Sequence, residues 1–183
     1  MKVLVLDNYD SFTYNIVHIL RELGGLDIAV IKNDKIKMLE VASFDKIILS
    51  PGPSLPKDAG KMNELILKYY NTKSILGICL GHQAIAENFG GKLYNMKEPL
   101  HGVQTDIYLD DDYIFEGIKS EIKACRYHSW SVDKDSFPQE LKITARDADG
   151  VIMALSHRSY DIKGIQFHPE SIQTKTGFNM IQN

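Results

Sequence analysis

Ser74-Ile75-Leu76-Gly77-Ile78-Cys79-Leu80-Gly81-His82-Gln83-Ala84-Ile85-Ala86 runs from a short β-rich stretch, through a cysteine bracketed by glycines, into a helical pattern. Gly77-Ile78-Cys79-Leu80-Gly81 has the G-x-nucleophile-x-G form in which a strand turns sharply into a helix, the glycines letting neighbouring backbone come close. The same alternation extends outward from it. Val3–Leu6, Ile28–Ile31, Lys46–Leu49 and Ser74–Ile78 read as strands, and Ile16–Leu23, Met62–Tyr70 and Gln83–Phe89 as helices, the signature of βαβ units. Val3-Leu4-Val5-Leu6 and Ile47-Ile48-Leu49 are continuous apolar runs, as central parallel strands buried on both faces require. The first helix carries a stripe at Ile16, Ile19, Leu20 and Leu23 with Gly24-Gly25 as a stop, and His18, lying between apolar residues, is expected to pack. From about Lys92 the pattern changes to strands with little helix: Val103–Leu109, Ala124–Trp130, Lys142–Arg146, Val151–Leu155 and Ile162–Phe167. The expected fold class is therefore α/β, an open, mostly parallel sheet with helices on both faces and added antiparallel strands in the C-terminal half.

The 183 residues match one domain, 1–183, with no linker, low-complexity tract or internal repeat to divide it. Hydrophobic residues at 44% and charged residues at 25% are the proportions of a soluble globular protein. A net charge of −3 leaves no basic field to attract a nucleic-acid backbone. The apolar run Lys2–Leu6 is too short for a signal sequence or a membrane span, so the cytoplasm is the expected location. The two cysteines, Cys79 and Cys125, form at most one bridge, which makes each thiol a candidate for chemistry.

In an open α/β sheet the ligand lies beyond the carboxyl ends of the strands, where the unusual residues of this chain gather. A thiol at the elbow projects from the turn, and the unpaired N–H groups and positive dipole end of the following helix favour a thiolate and a developing oxyanion. A lone cysteine is more often a buried structural residue; the glycines and the strand–turn–helix setting favour the nucleophile for Cys79. Cys125, inside a strand-like run without glycines, reads as structural. Of the six histidines, His168 has the setting of a base: Ile165-Gln166-Phe167-His168-Pro169-Glu170 ends an apolar run, and in an extended segment Glu170 would point the same way and reach the far ring nitrogen. Pro51-Gly52-Pro53-Ser54-Leu55-Pro56, with three prolines in six residues, makes a rigid loop in which Gly52 lets an N–H approach a substrate atom. No phosphate-binding glycine motif is present, and the C-x-x-H spacing of Cys79 and His82 lacks the partners of a zinc site.

Four motifs carry a resemblance that spans nearly the whole chain: GICLGHQAIAENFGG around Cys79, SPGPSLPKDAG, RYHSW at Arg126–Trp130 and GIQFHPES at Gly164–Ser171. Together they resemble the class I, or triad, glutamine amidotransferases, whose fold is flavodoxin-like. DNYDSFTYN at Asp7–Asn15 and Leu100-His101-Gly102 narrow the resemblance to the small subunits of anthranilate synthase and aminodeoxychorismate synthase. The resemblance implies that Cys79 attacks the side-chain amide of glutamine, that His168, oriented by Glu170, protonates the departing ammonia, and that water then hydrolyses the γ-glutamyl thioester. It implies an oxyanion hole from the N–H groups of Gly52 and Leu80, and a glutamine site formed by Gly52, Pro53, Ser54, Gln83, Ser129 and Trp130. It also implies a hetero-oligomer, in which ammonia passes to a chorismate-using large subunit and displaces a hydroxyl. No metal or organic cofactor is expected in this chain, although the partner uses Mg2+.

The chain departs from the family pattern at two places: Ser54 stands where PGPG has a glycine, and Trp130 where YHSL has a leucine. Anthranilate is the leading destination, 4-amino-4-deoxychorismate the nearest rival, and a non-catalytic protein retaining the fold the reading of a different class. The Asp7–Asn15 loop and Leu100–Gly102 are expected on the rim that faces the partner, unless Asn8, Asp10 and Ser11 merely cap the first helix.

Overall fold

The apolar runs become strands that alternate their side chains between two cores. In the computed structural model, which describes residues 1–183, the elements follow in the order β1 (Lys2–Asp7), α1 (Thr13–Leu23), β2 (Asp27–Lys32), α2 (Met38–Val41), β3 (Lys46–Leu49), α3 (Met62–Tyr69), β4 (Ser74–Ile78), α4 (Leu80–Asn88), β5 (Leu93–Leu109), β6 (Glu121–Val132), β7 (Leu141–Asp147), β8 (Ile152–His157), β9 (Ile162–Ile165) and α5 (Gly177–Gln182). All nine strands join one sheet, in the order β2-β1-β3-β4-β9-β8-β7-β5-β6. The pairs from β2 to β9 are parallel and those from β9 to β6 antiparallel, which is the extended parallel sheet read from the sequence.

On β1, Leu4 and Leu6 point into a core shared with α3 and α4, while Val3 and Val5 point the other way, against Ile16, Val17 and Leu20 of α1. A third cluster fills the space around β5 to β8 and α5. The first seven residues of α4 are all buried, as expected of a helix covered on every side. No helix is long and apolar enough to cross a membrane.

Several features differ from the sequence reading. His18 is exposed, 3.3 Å from Glu22 one turn later; the buried stripe of α1 is Thr13, Ile16, Val17 and Leu20, and position 18 falls on its far side. β5 is 17 residues long rather than starting at Val103, with register breaks on either side of Leu100-His101 that accommodate Pro99 and Gly102. The last added strand, expected over Ile162–Phe167, is the shorter β9, which inserts beside β4 and pairs with it in parallel, with Gly77 opposite Gly164 and Ile78 opposite Ile165. That pairing sets the end of β9 next to Cys79, whose N–H donates to Ile165 O at 2.8 Å.

One ion pair lies wholly inside the antiparallel half. Arg126 of β6 donates from Nη1 to Asp147 Oδ2 of β7 at 2.6 Å, with both side chains buried. The other Asp147 oxygen accepts from the Val151 and Asp149 N–H groups and fixes the β7–β8 turn. Loss of one partner leaves the other charge uncompensated, which costs about 3–5 kcal/mol. Asp147→Asn is expected to lower the unfolding free energy in urea by about that amount, whereas Asp106→Asn, which breaks the exposed pair with Lys123, leaves the midpoint unchanged.

Candidate active site

The site forms where four connections meet at the carboxyl ends of β1, β3, β4 and β9. Cys79 sits between β4 and α4 with φ 52 and ψ −99, a region a non-glycine residue occupies only under constraint. The constraint comes from close backbone approach. A Cβ on Gly77 would stand 2.4 Å from Gly81 C, and one on Gly81 would stand 2.6 Å from Leu49 O, so only glycines allow α4 to pack this tightly against β3 and β4.

His168 is nine-tenths or more buried, and its Nδ1 lies 2.6 Å from Glu170 Oε1. The geometry that joins them differs from the extended one expected. β9 ends at Ile165, and His168–Ser171 is a β-turn closed by Ser171 N–H to His168 O, with Pro169 at the position whose φ it pre-sets. Gly177, at the start of α5, packs so tightly against Pro169 that any side chain there would overlap its carbonyl. Burial works against a charged His168 ring, but the Cys79 sulfur and the Glu170 carboxylate outweigh it, and the pKa is pushed up to about 10. Nε2 faces the sulfur without completing a hydrogen bond, a looseness usual in a site without its substrate.

Phe12 and Tyr127 hold the imidazole between them, with ring centroids 5.3 and 5.1 Å from its own. Neither was singled out from the sequence, although DNYDSF and RYHSW contain them. Asn8 does not cap α1: its amide donates to Ser50 O at 2.7 Å and accepts from Asn33 at 3.0 Å, pinning the first loop to the β3 loop. Asp7 Oδ1 accepts from Tyr9 N–H and Thr13 Oγ1, and Asp10 Oδ1 from Phe12 N–H, while Ser11 makes no cap. Tyr9 is exposed on the rim, as are Lys97–Glu98 and His101–Gly102 of β5, whose Leu100 and His101 lie opposite His128 and Tyr127.

The Pro51–Pro56 loop places Gly52 directly against α4, since a Cβ there would stand 2.7 Å from Leu80 Cδ2 and 2.6 Å from Asn8 Cβ. Neither Gly52 nor Leu80 donates its N–H to a loop or cap carbonyl, so the structure brings together two donors without partners beside Cys79. Ser54 adopts φ 65, the conformation its glycine counterpart would favour, and with Pro53 it lines a cavity of about 300 Å³ next to Asn8, Asn33 and Leu80. Gln83 is buried, and its Nε2 donates to Trp130 O at 2.8 Å. That carbonyl also accepts from His128, so it is taken up internally and is not open to a ligand. Ser129 lies in the register break between Asn95 and Leu100, with no β5 partner opposite it.

His82 is not part of the site chemistry. Burial pushes its pKa down to about 4, and neither ring nitrogen has a partner. No group of three or more His, Cys, Asp or Glu side chains is arranged to hold a metal ion. Cys125 is buried on β6 with its Sγ 3.3 Å from Gln173 Oε1, as a structural residue would be.

Residues 4–183 match the family model described as glutamine amidotransferase class-I. The chain is 45% identical to anthranilate synthase component 2 of Cyanophora paradoxa, covering 99% of this chain and 96% of that one. It is 44% identical to aminodeoxychorismate/anthranilate synthase component 2 of Bacillus subtilis, covering 99% and 94%. It is 39% identical to aminodeoxychorismate synthase component 2 of Escherichia coli, covering 99% and 97%. Among solved structures, a Thermotoga maritima glutamine amidotransferase superposes with a TM-score of 0.79 at 16% identity, over 93% of this chain and 76% of that one, which speaks to the fold.

Two measurements follow from this geometry. The elevated His168 pKa means that its stabilisation is complete below the unfolded value near 6.5 and is lost as pH rises through about 10. Removing the sulfur in Cys79→Ala is expected to lower the His168 titration midpoint, followed by NMR of the ring protons, by about one unit or more; an unmoved midpoint contradicts the pairing of His168 with the sulfur. Relief of the left-handed backbone in Ser54→Gly is expected to raise stability to denaturant by about 1 kcal/mol.

Proposed function

The chain belongs to the class-I glutamine amidotransferases, and from that premise we propose that it is the ammonia-generating subunit of a synthase that aminates chorismate, anthranilate synthase before aminodeoxychorismate synthase. The observation that carries the chemistry is the convergence on one rim of a strained, helix-capping Cys79 and a His168 whose far nitrogen is held by Glu170. The Cys79 thiolate attacks the side-chain carbonyl carbon of glutamine, and the N–H groups of Gly52 and Leu80 receive the oxyanion. As the tetrahedral species collapses, the C–N bond breaks and the His168 imidazolium gives its proton to the departing nitrogen, which leaves as ammonia. Neutral His168 then takes a proton from water, whose oxygen attacks the thioester. The C–S bond breaks, glutamate leaves and the thiolate and imidazolium are restored.

Glu170 keeps Nδ1 protonated and aims Nε2 at the sulfur, which is the role of an orienting group rather than of a proton carrier. In this reading, the half-reaction proceeds without a metal or organic cofactor in the chain, and magnesium belongs to the chorismate site of the partner. Glutamine lies between the Pro51–Pro56 loop, where the Gly52 N–H has no carbonyl partner, and Ser129, which has no β5 residue opposite it. Among the relatives above, anthranilate and aminodeoxychorismate names occur side by side at similar identity, and one carries both. The destination is therefore set by the large subunit that docks, and the exposed rim at Tyr9 and Lys97–Gly102 is the surface offered to it.

Affinity capture with each large subunit, followed by assay of the product, tests the assignment: anthranilate formation with glutamine is expected. In that complex, Cys79→Ser should reduce glutamine-dependent synthesis by about a thousandfold or more and leave ammonium-dependent synthesis intact. Loss of both in a complex that still assembles would falsify the division of labour.

A further inference from the structure

One buried side chain of the GIQFHPES run has no task in this half-reaction. Gln166 is completely buried, between β9 and His168, and its amide touches two groups of the site. Its Nε2 donates to Cys79 Sγ at 3.7 Å, and its Oε1 accepts from Gln83 Nε2 at 3.2 Å. The other Gln83 proton goes to Trp130 O, which also accepts from His128 Nδ1 at 2.9 Å.

Donor and acceptor roles along this chain are fixed by the groups at its far end that have only one role, Arg126 as a donor to His128 and the Trp130 carbonyl as an acceptor from His128 and Gln83. Arg126 Nε can only donate, and it lies 3.1 Å from His128 Nε2, so Nε2 is the acceptor and Nδ1 carries the proton. Burial and the Arg126 charge hold that ring neutral, its pKa pushed down to about 3. Arg126 is in turn fixed by Asp147. A backbone carbonyl only accepts, so the Gln83 atom at Trp130 O is the amide nitrogen; the Gln166 atom facing that nitrogen is then oxygen, and the one facing the sulfur is nitrogen. Turning over the Gln166 amide would set two NH2 groups against each other, so the sulfur is offered a donor at this contact and no acceptor.

Building on the glutaminase reading, we propose that Gln166 is a further catalytic group: its amide N–H donates to the Cys79 thiolate, in an orientation imposed through Gln83 and the Trp130 carbonyl. A hydrogen bond to an ionised acceptor is roughly twice as strong as one between neutral groups. The contact is strongest when the sulfur carries charge, as thiolate attacks the amide and as it leaves the thioester, and weakest in the thioester itself. Gln166 thus favours the attacking form of the sulfur and its later departure, and it links the sulfur to the strand that borders the glutamine site.

The test is the pH dependence of Cys79 alkylation by iodoacetamide, followed by peptide mass, in the full chain. Gln166→Met, which retains volume and removes the N–H, is expected to move the midpoint upward by about one pH unit or more. In the complex it should lower kcat for glutamine by about tenfold or more, with ammonium-dependent synthesis unchanged. If the Met variant does not fold, as judged by its thermal melt, Gln166→Glu gives the same readout, because it keeps an acceptor for Gln83 and places a carboxylate at the sulfur. A folded variant of either kind with a midpoint within about 0.3 unit of the parent overturns the proposal. If the parent chain hydrolyses no glutamine with any large subunit while the midpoints still shift, the amidotransferase assignment fails and the role of Gln166 on the sulfur stands.

Discussion

The site depends on how closely three pieces of backbone come together at Gly77 and Gly81. With no side chain at either position, α4 packs onto the ends of β3 and β4 at distances that any Cβ would forbid. This approach has three consequences. It bends the chain at Cys79 into a conformation that an L-residue does not adopt freely, and so lifts the thiol out of the sheet. It brings the first N–H of α4 beside the Pro51–Pro56 loop, where Gly52 in turn accepts contact with Leu80 only because it lacks a side chain. It also leaves Cys79 N–H to pair with Ile165 O, which fixes the height of β9 and hence of His168. The strain at the cysteine is thus opposed by core packing on both faces and by a hydrogen bond across the sheet.

Two histidines near the sulfur show how much the local charge decides. His168 and His128 are both buried, and burial alone would push both toward the neutral form. His168 faces the Cys79 sulfur and a carboxylate and is pushed up to about 10, whereas His128 is pushed down to about 3 by burial and, beyond that, by the guanidinium of Arg126. The first is thereby held protonated, as the proposed half-reaction requires of its acid, and the second is a neutral donor of fixed tautomer. The buried Arg126, fixed by Asp147, adds to burial in keeping His128 neutral.

What was legible in the sequence was local. The apolar runs of β1 and β3, the elbow at Cys79 and the helix that follows are each specified within about a dozen residues, and they fold as their patterns require. The pairing of β9 with β4 was not legible, because Ile162-Lys163-Gly164-Ile165 looks like any short strand and its neighbour lies more than eighty residues earlier in the chain. The same holds for the bonds from Gln83 to Trp130 and to Gln166, each joining segments far apart in the chain. His18 was misplaced for a different reason: apolar neighbours in sequence are not neighbours on a helix, and residue 18 lies opposite the stripe. Glu170 was paired correctly by a wrong route, since proximity two residues on arises from a proline turn as readily as from an extended strand.

The compactness of the Gly164–Ser171 segment has a physical basis in that geometry. Past the last ladder residue of β9 the chain keeps its alternation for three positions: Ile165 and Phe167 enter the third core cluster, while Gln166 and His168 face the sulfur. One side of the segment is held by apolar packing and the other faces Cys79, so the alignment of the His168 ring comes from the core at no separate conformational cost. The turn at Pro169 then ends the alternation where continuing it would carry Glu170 away from the ring. Gly177, with no side chain to obstruct Pro169, lets α5 brace the turn from behind. A residue inserted between Ile165 and His168 would exchange the two faces and move the imidazole into the core, so the spacing as well as the residue types of this segment sets His168 beside Cys79.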